Sequence, residues 1–257
     1  MSAARVVSLC PSITETLVEI GARASLVGAT RYCTRPKGVL RGIARIGGTK
    51  DPDIGAILAL EPDLVFANQE ENRLEDVEAL RSAGIEVNVT FPKRVADVPR
   101  DICDWGESLG RVHETEARAL SARVAQEVSL LEETPAPRSF RFAYWIWRDP
   151  WMTVSDDTYV ADLLRLSGGV NAYGRETDRY PTTTPDEALA RGVDVHFLPD
   201  EPYPFRERRH GKLVEELFGA KRSRLFVPGD DFCWHGYRTL AGLARVRQLR
   251  AGGGVLA

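Results

Sequence analysis

Residues 5–22, RVVSLCPSITETLVEIGA, contain the pattern that decides the fold class of this 257-residue chain. A short β-branched run ends at Pro11, and an apolar pattern with helical spacing follows as far as Gly21. We expect a buried strand and then a helix, with Ser12 and Glu15 as a capping box and Gly21 in the left-handed conformation that ends helices. This stretch therefore predicts the first βα unit of an α/β domain.

The same order of strand and helix recurs along the chain. Strands are expected at SLVGAT, LVFA, IEVNVT, FRFAYWIW, VDVHFLP and RLFVPG, with helical patterns between them. Thr184, followed by Pro185 and then Glu187, is typical of a helix start. Residues 52–67 and 185–199 are weakly similar, since each has a Pro-Asp helix start, a short Ala/Leu helix and a hydrophobic strand that begins after an Asp. This similarity indicates two related lobes. The alternation predicts mostly parallel sheets.

Residues 97–134 have a different character, because helical periodicity runs through most of this stretch. The apolar positions that recur at helical spacing are Leu109, Val112, Ala117, Leu120, Val124 and Val128. A helix of roughly twenty residues spans about 30 Å, the width of a small domain. We therefore expect an α/β fold with two Rossmann-like lobes, mostly parallel sheets and one long bridging helix. The predicted boundaries are 1–96 for the N-terminal lobe, 97–134 for the bridging helix region and 135–257 for the C-terminal lobe.

Composition limits the function classes. The net charge of −3 gives no general attraction to nucleic acid, and no apolar run reaches the roughly 18 residues of a membrane span. The first apolar run is too short for a secretory signal, so the chain is expected in the cytoplasm, or in the periplasm or at the cell surface if a leader was removed. Four separated cysteines without CxxC spacing predict reduced, mostly buried thiols. We expect a monomer.

The loops that follow the predicted strands contain most of the chemistry-bearing residues. In parallel sheets functional loops lie beyond the carboxyl ends of strands, and here these loops are CPS, RYCTRP, NQEEN, WRDPWMTVSDD and DDFCWHGYR. Four of the five tryptophans lie in or beside them, namely Trp145, Trp147, Trp151 and Trp234. Indole rings at strand ends suit a flat, largely apolar ligand with a polar edge. The sequence therefore predicts a ligand cleft between the two lobes.

A metal site formed by protein side chains is a separate hypothesis. Cys33, Cys233 and His235 are suitable ligands, and Cys233 and His235 would point to the same side of an extended loop. No recognised metal-ligand spacing is present, and the alternative is that Cys233 fills apolar space while His235 bonds to a backbone carbonyl. His196 is expected in the core, and His113 and His210 on the surface.

Two common catalytic motifs are absent. The chain contains no H-E-x-x-H and no G-x-x-x-x-G-K-[ST]. Asp230 and Asp231 could act as an acid/base pair, but such a pair more often caps the next helix. The basic stretch FRERRHGK (205–212) is either a docking patch or a solvated helix start.

Several of these motifs together resemble the helical-backbone (class III) substrate-binding proteins of ABC importers. The matching segments are RVVSLCPSITETLVEIGA, LVGATRYCTRP, IGAILALEPDLVFA, LRSAGIEV and DDTYVADLLRLSGGVNAY. The resemblance implies two α/β lobes bridged by one rigid helix, with the ligand between them. It also implies that Tyr32 packs on the ligand and that Asp230 lies in the cleft. Cys33, or the Cys233/His235 pair, could then supply axial ligation.

The resemblance and the loops lead to one main hypothesis, a non-catalytic receptor for a corrinoid, haem or other metal-chelate ligand, with an ABC-transporter permease as a possible partner. The predicted ligand-binding residues are Tyr32, Cys33, Asn68, Gln69, Glu70, Trp147, Trp151, Tyr180, Asp230, Asp231, Phe232, Trp234 and His235. The alternative is a chelatase-like enzyme or metallochaperone that acts on a similar ligand. In a chelatase, His235 with Asp231 or Glu70 would act as base and metal guide.

Overall fold

The structure is a computed structural model that describes residues 4–219 and 223–252. Within these residues the chain folds into two compact units. Unit 1 contains residues 4–92, 96–125 and 235–238. Unit 2 contains residues 93–95, 126–219, 223–234 and 239–252. Residues 235–238 thus belong to unit 1, although most of unit 2 precedes them in the chain. The predicted boundaries assign these four residues to the C-terminal lobe, 135–257.

Unit 1 is built on a parallel sheet. Its strands are β1 (Val6–Ser8), β2 (Leu26–Ala29), β3 (Ala44–Arg45), β4 (Leu64–Asn68) and β5 (Glu86–Thr90). Its helices are α1 (Pro11–Glu19), α2 (Ile54–Ala59), α3 (Leu74–Ser82), α4 (Val98–Ser108) and the first part of α5 (Arg111–Glu133). The strand order is β3-β2-β1-β4-β5, and each neighbouring pair is parallel. β1 and β4 are buried along their whole length, as expected for the inner strands of a parallel sheet.

The predicted capping box of α1 is wrong. Cys10 is the N-cap of this helix and makes no side-chain cap hydrogen bond, with Pro11 in the first turn. Glu15 binds the guanidinium of Arg238 instead. The prediction for the other end is confirmed, since Gly21 has φ 82°. A capping box requires the Glu15 carboxylate to bind a backbone N–H at the helix start, and here the carboxylate binds the distant Arg238 instead.

The predicted long helix is present but begins later than expected. Gly110 has φ 85° and separates α4 from α5, which has 23 residues. Of the apolar positions that recur at helical spacing, Ala117, Leu120 and Val124 are buried, whereas Val112 is 83% exposed and does not belong to the buried face. Residues 126–133 of α5 belong to unit 2, so this one helix contributes to both units.

Unit 2 contains a second parallel sheet and a small antiparallel pair. Its strands are β6 (Phe140–Tyr144), β7 (Trp151–Met152), β8 (Gly169–Asn171), β9 (Thr182–Thr183), β10 (Val195–Pro199) and β11 (Ser223–Val227). Its remaining helices are α6 (Tyr159–Arg165), α7 (Pro185–Ala190), α8 (Glu207–Phe218), α9 (Asp230–Cys233) and α10 (Thr239–Arg250). The main sheet has the order β11-β10-β6-β8, and β7 pairs with β9. The α/β class and the two mostly parallel sheets are confirmed.

The start of α7 follows the sequence prediction. Thr184 is the N-cap, and its hydroxyl accepts a hydrogen bond from the backbone N–H of Glu187. Pro185 occupies the first turn, where a missing N–H leaves no helical hydrogen bond unmade. This cap is decided by neighbouring residues alone, which is why the sequence was sufficient to predict it.

Candidate functional site

The predicted site residues of unit 1 include one exposed aromatic ring. Tyr32 is 51% exposed and follows β2. The guanidinium of Arg31 lies 5.0 Å from the centroid of its ring and also binds Asp51 at 2.9 Å. Because the ion pair fixes the arginine, Tyr32 presents an aromatic face beside a fixed positive charge.

Cys33, next in sequence, faces the interior. The Thr14 hydroxyl donates to its sulfur at 3.0 Å, and the Thr30 hydroxyl lies 3.2 Å from it. Burial raises the pKa of the Cys33 thiol, so the thiol stays protonated at neutral pH. A protonated buried thiol is a weak metal ligand.

The β4 exit loop is organised by Asn68. This side chain is buried, donates to the Thr90 carbonyl at 3.1 Å and accepts from the backbone N–H of Glu70 at 2.9 Å. The backbone N–H of Gln69 donates to the Thr90 carbonyl at 3.0 Å, and the Gln69 side chain is exposed. Lys50 donates to the Glu70 carbonyl. Asn68 thus holds the loop in shape, while Gln69 and part of Glu70 reach the surface.

His235 belongs to unit 1 although it follows the last strand of unit 2. Its buried ring lies against Trp105, with centroids 5.8 Å apart. Asn68 Nδ2 donates to His235 Nε2 at 3.2 Å, and the Ser12 hydroxyl lies 3.4 Å from the same atom. An accepting Nε2 places the proton of the neutral ring on Nδ1. Burial lowers the pKa of His235 to about 4.

The residues after His235 are fixed to helix α1. The backbone N–H of Tyr237 donates to the Thr16 hydroxyl at 3.0 Å, and Arg238 binds Glu15. Gly236 has φ 78°, and a Cβ atom there would lie 2.2 Å from Thr16 Oγ1. Only glycine fits this position without displacing the helix. Ser12, Glu15 and Arg238 were not predicted as a group, because their partners are more than 200 residues apart.

The buried histidine has a consequence for pH dependence. The unfolded state binds a proton on His235 below pH about 6.5, whereas the folded ring, with its pKa of about 4, stays neutral. His235 therefore contributes a loss of stability as the pH falls from about 6.5 to about 4, at most about 3 kcal/mol. Asp101 acts in the opposite direction, because burial raises its pKa to about 6 and acidification then stabilises the fold.

We expect these two effects to separate in variants. Denaturant unfolding of Asp101→Asn between pH 7 and pH 4 should show a steeper loss of stability than the parent chain, since the opposing effect of Asp101 is removed. His235→Gln should lose less stability than the parent chain over the same interval. Identical pH profiles for the parent and both variants would contradict these assignments.

In unit 2, two of the predicted ligand-binding aromatics are exposed. Trp147 is 43% exposed and meets Tyr203 edge to face, with centroids 5.6 Å apart. Tyr180 is 38% exposed, and the Arg179 guanidinium lies 5.8 Å from its ring centroid. Trp234 is half-buried. Trp147 and Tyr180 therefore offer exposed aromatic surface, and their contact with a ligand stays a prediction.

Trp145 and Trp151 have a different role. Trp145 is fully buried, stacks on Phe218 at 5.1 Å and donates from Nε1 to His196 Nδ1 at 3.1 Å. Trp151 is partly buried, lies edge to face against Trp145 at 5.1 Å and stacks on Phe205 at 5.8 Å. Trp145 lies beside a predicted ligand loop but was not among the predicted ligand-binding residues, and its ring forms part of the core of unit 2. The core position of His196 is confirmed.

The stretch that begins at Asp230 forms the short helix α9. Asp231 is buried and binds the Arg245 guanidinium of α10 at 3.0 Å. Asp230 is also buried. The prediction that this acidic pair caps the last helix is wrong, since both residues lie in the first turn of α9 and α10 starts at Thr239. Asp231 stabilises α10 through a side-chain ion pair instead.

Phe232 and Cys233 complete α9. Phe232 is buried against Tyr144 and Phe197, with centroids 6.1 Å and 5.8 Å away. The sulfur of Cys233 lies 3.2 Å from the Tyr144 hydroxyl. Phe232 is therefore a packing residue of the unit 2 core. Among residues 4–219 and 223–252, no group of three or more His, Cys, Asp or Glu side chains has the arrangement of a metal site.

One further histidine is not where the sequence indicated. His210 is buried, so its predicted surface position is wrong. The backbone N–H of Arg206 donates to its Nδ1 at 2.9 Å, and the ring packs near Tyr203 and Phe205, each with a centroid distance of 5.7 Å. Most residues next to His210 in sequence are polar and predict an exposed turn, whereas the His210 side of this turn of α8 packs against aromatic rings.

Comparisons with known proteins show where the chain belongs. The vitamin B12-binding protein of Photorhabdus laumondii subsp. laumondii is 24% identical over 244 residues, which are 89% of this chain and 86% of that protein. The structure of the periplasmic vitamin B12 binding protein of Vibrio cholerae has a TM-score of 0.81 at 20% identity, with 98% of each chain covered. The periplasmic heme-binding protein BhuT, solved with two hemes, has a TM-score of 0.81 at 21% identity over 97% of this chain and 99% of that one.

The part of the chain that the structure describes contains no helix with the length and hydropathy of a membrane span. A family profile described as "Periplasmic binding protein" matches residues 6–209, which include β1 to β10 and helices α1 to α7. The match therefore extends over both sheets and well beyond half of the chain. This chain is a member of the periplasmic binding protein family.

Proposed function

We propose that the protein is a receptor that binds a corrinoid or haem-type metal chelate without transforming it. The observation that carries this proposal is the similarity to a vitamin B12-binding protein over 89% of the chain. Structural neighbours whose names specify vitamin B12 or heme have the same fold. A permease of an ABC importer is the partner that fits such a receptor, and the periplasmic relatives support a location outside the cytoplasm.

The exposed aromatics supply a chemical reason for this ligand class. Tyr32 and Tyr180 each have an arginine guanidinium within 6 Å of the ring centroid, and Trp147 adds an exposed indole. Corrinoids and haems combine a broad apolar ring system with carboxylate or carboxamide groups at its edge. An aromatic face next to a guanidinium matches both parts of such a ligand.

The buried members of the predicted site have a supporting role in this proposal. Asn68 and His235 are hydrogen-bonded inside unit 1, and Asp231 is paired with Arg245 in unit 2. We assign them to positioning of the loops that carry Gln69 and Trp234. Direct axial ligation by Cys33, Cys233 or His235, and the position of the ligand relative to the two units, stay predictions.

No observation favours the chelatase alternative. A catalytic base works best with a pKa near the working pH, and the pKa of His235 is about 4. Its proposed acidic partner Asp231 is neutralised by Arg245. The ring nitrogen Nε2 of His235 is occupied by Asn68, so it is not available as a base without a rearrangement of the β4 exit loop.

Ligand titration tests the proposal. Purified protein is mixed with cyanocobalamin and, separately, with haemin, and binding is followed by absorbance and by calorimetry. We expect saturable binding of at least one ligand with a micromolar or lower Kd. Absence of binding to both would overturn the proposed ligand class.

Tyr32→Ala and Trp147→Ala should each weaken binding by about tenfold or more, because truncation of an aromatic hot spot costs about 2 kcal/mol or more. Val112→Ala is the control, since Val112 is exposed on α5 and removed from these rings in sequence. Equal affinity of the parent chain and both aromatic variants would contradict the assignment of these two residues.

A further inference from the structure

The first turns of helix α8 carry a cluster of positive charges that the proposed ligand site does not use. We define the basic patch as Arg148, Arg206, Arg208, Arg209 and Lys212. The last four lie within seven consecutive residues, and Arg206, Arg208 and Arg209 are exposed while Lys212 follows one turn later. Within the part of the chain that the structure describes, Arg208, Arg209 and Lys212 form no ion pair. The patch therefore has three positive charges that the fold leaves available.

This placement is unfavourable for the helix itself. The N-terminus of a helix has a partial positive charge, and cations in the first turn destabilise it by some tenths of a kcal/mol each. Arg206 is the N-cap of α8, and Glu207 is the acidic residue of the first turn. Arg208 and Arg209 follow it directly. Helix stability therefore gives no reason for these arginines, whereas an anionic partner would be attracted by both the side chains and the helix end.

Aromatic contacts bring Arg148 to the patch, although 61 positions separate it from Arg209 in sequence. Trp147, its neighbour in sequence, meets Tyr203 with centroids 5.6 Å apart, and Tyr203 lies 5.7 Å from the ring of His210. Burial lowers the pKa of His210, and the charges of Arg209 and Arg148 lower it further. The lowered pKa keeps the ring neutral at pH 7, so the charge of the patch comes from arginine and lysine and does not change near neutral pH.

The same histidine has an unused donor. The Arg206 N–H donates to Nδ1, so the neutral ring carries its proton on Nε2. Among residues 4–219 and 223–252, no acceptor lies within hydrogen-bond distance of this buried Nε2 atom. Tyr203 and Phe205 lie against the ring and against each other, with 4.6 Å between their centroids. His210, which lies between Arg209 and Lys212 in sequence, therefore packs on an aromatic pair and has one N–H without an acceptor among the described residues.

From these contacts we propose that the basic patch is a docking surface for an acidic segment of a partner protein. Arginine and tyrosine are enriched at protein interfaces, and the guanidinium fork binds carboxylates in pairs. Acidic residues are interspersed with the patch, since Arg206 binds Asp200 at 2.8 Å and Arg148 lies 3.5 Å from Asp149. These paired carboxylates interrupt the positive surface, and a protein segment can place its own acidic side chains between them, whereas a uniformly anionic membrane surface cannot. The proposal does not depend on the identity of the ligand.

The test uses a fluorescently labelled decaglutamate peptide, with decaglutamine as the neutral comparison, and anisotropy at low ionic strength. We expect the full chain to bind decaglutamate with an affinity that falls as salt is added, and not to bind decaglutamine. Arg208→Glu/Arg209→Glu should weaken binding by about tenfold or more. The matched control is Arg111→Glu/Arg123→Glu, which changes the net charge equally on exposed positions of α5 in unit 1.

Equal losses in the two double variants would overturn the proposal, because the effect would then be net charge alone. Binding to phosphatidylglycerol-containing vesicles without binding to decaglutamate would also overturn it and assign the patch to a membrane. Cobalamin and haemin titrations of both variants separate this proposal from the ligand proposal. Unchanged ligand binding with lost peptide binding is the expected result for Arg208→Glu/Arg209→Glu.

Discussion

Replacement of Arg238 by alanine is expected to lower the free energy of unfolding of unit 1 by about 3–5 kcal/mol. Arg238 Nε donates to Glu15 Oε2 at 2.9 Å, and a second guanidinium nitrogen donates to Oε1. Both side chains are largely buried, with 14% and 6% of their surface exposed. Removal of the arginine leaves a buried carboxylate without its counter-charge, and this costs more than the pair contributes.

The double variant Glu15→Gln/Arg238→Met provides the control. It removes both charges while keeping similar side-chain volumes, so most of the lost stability should return. The measurement is denaturant unfolding followed at Trp105, whose ring contacts His235 in unit 1. A loss below about 1 kcal/mol in Arg238→Ala would show that water or another cation replaces the arginine.

Replacement of Trp145 by alanine is expected to lower the free energy of unfolding of unit 2 by about 3–5 kcal/mol. The indole is fully buried, stacks on Phe218, meets Trp151 edge to face, and donates a hydrogen bond to His196. Alanine would leave a large cavity in this aromatic core and remove the partner of the histidine.

Trp145→Phe separates packing from hydrogen bonding, because it keeps a ring but has no N–H donor. We expect a smaller loss, about 1–3 kcal/mol. Trp147→Ala is the surface comparison, since 43% of this side chain is exposed, and its loss should be below about 1 kcal/mol. A large stability loss at Trp147 together with a small one at Trp145 would contradict the assignment of core and surface tryptophans.

These two tryptophans show how far the sequence could predict the candidate site. Both belong to the predicted strand FRFAYWIW and lie in or beside a predicted ligand loop, and Trp147 is among the predicted ligand-binding residues. In the structure Trp145 points into the unit 2 core and Trp147 reaches the surface. The sequence predicts extended backbone as far as Trp147, and in such a strand these two side chains would share one face. The strand β6 instead ends at Tyr144, so the two indoles lie beyond the strand and take different directions.

The histidines lead to a similar conclusion. The core position of His196 was predictable because it lies inside an apolar strand. The burial of His210 was not, because its neighbours Arg208, Arg209 and Lys212 are charged and suggest a solvated helix start. Helix α8 places one side of this turn against Tyr203 and Phe205 and leaves the other side to solvent.

The sequence by itself determined the alternation of strands and helices, the parallel sheets and the turns at Gly21 and Thr184. These features depend on periodicity and on backbone preferences of adjacent residues, which act over a few positions. The tertiary structure decided that Glu15 pairs with Arg238 and that Asn68 pairs with His235. All four residues lie in unit 1, although the chain reaches His235 and Arg238 only after most of unit 2. Charge pairing and burial act between atoms that are close in space, and no local pattern records which distant residue provides the partner.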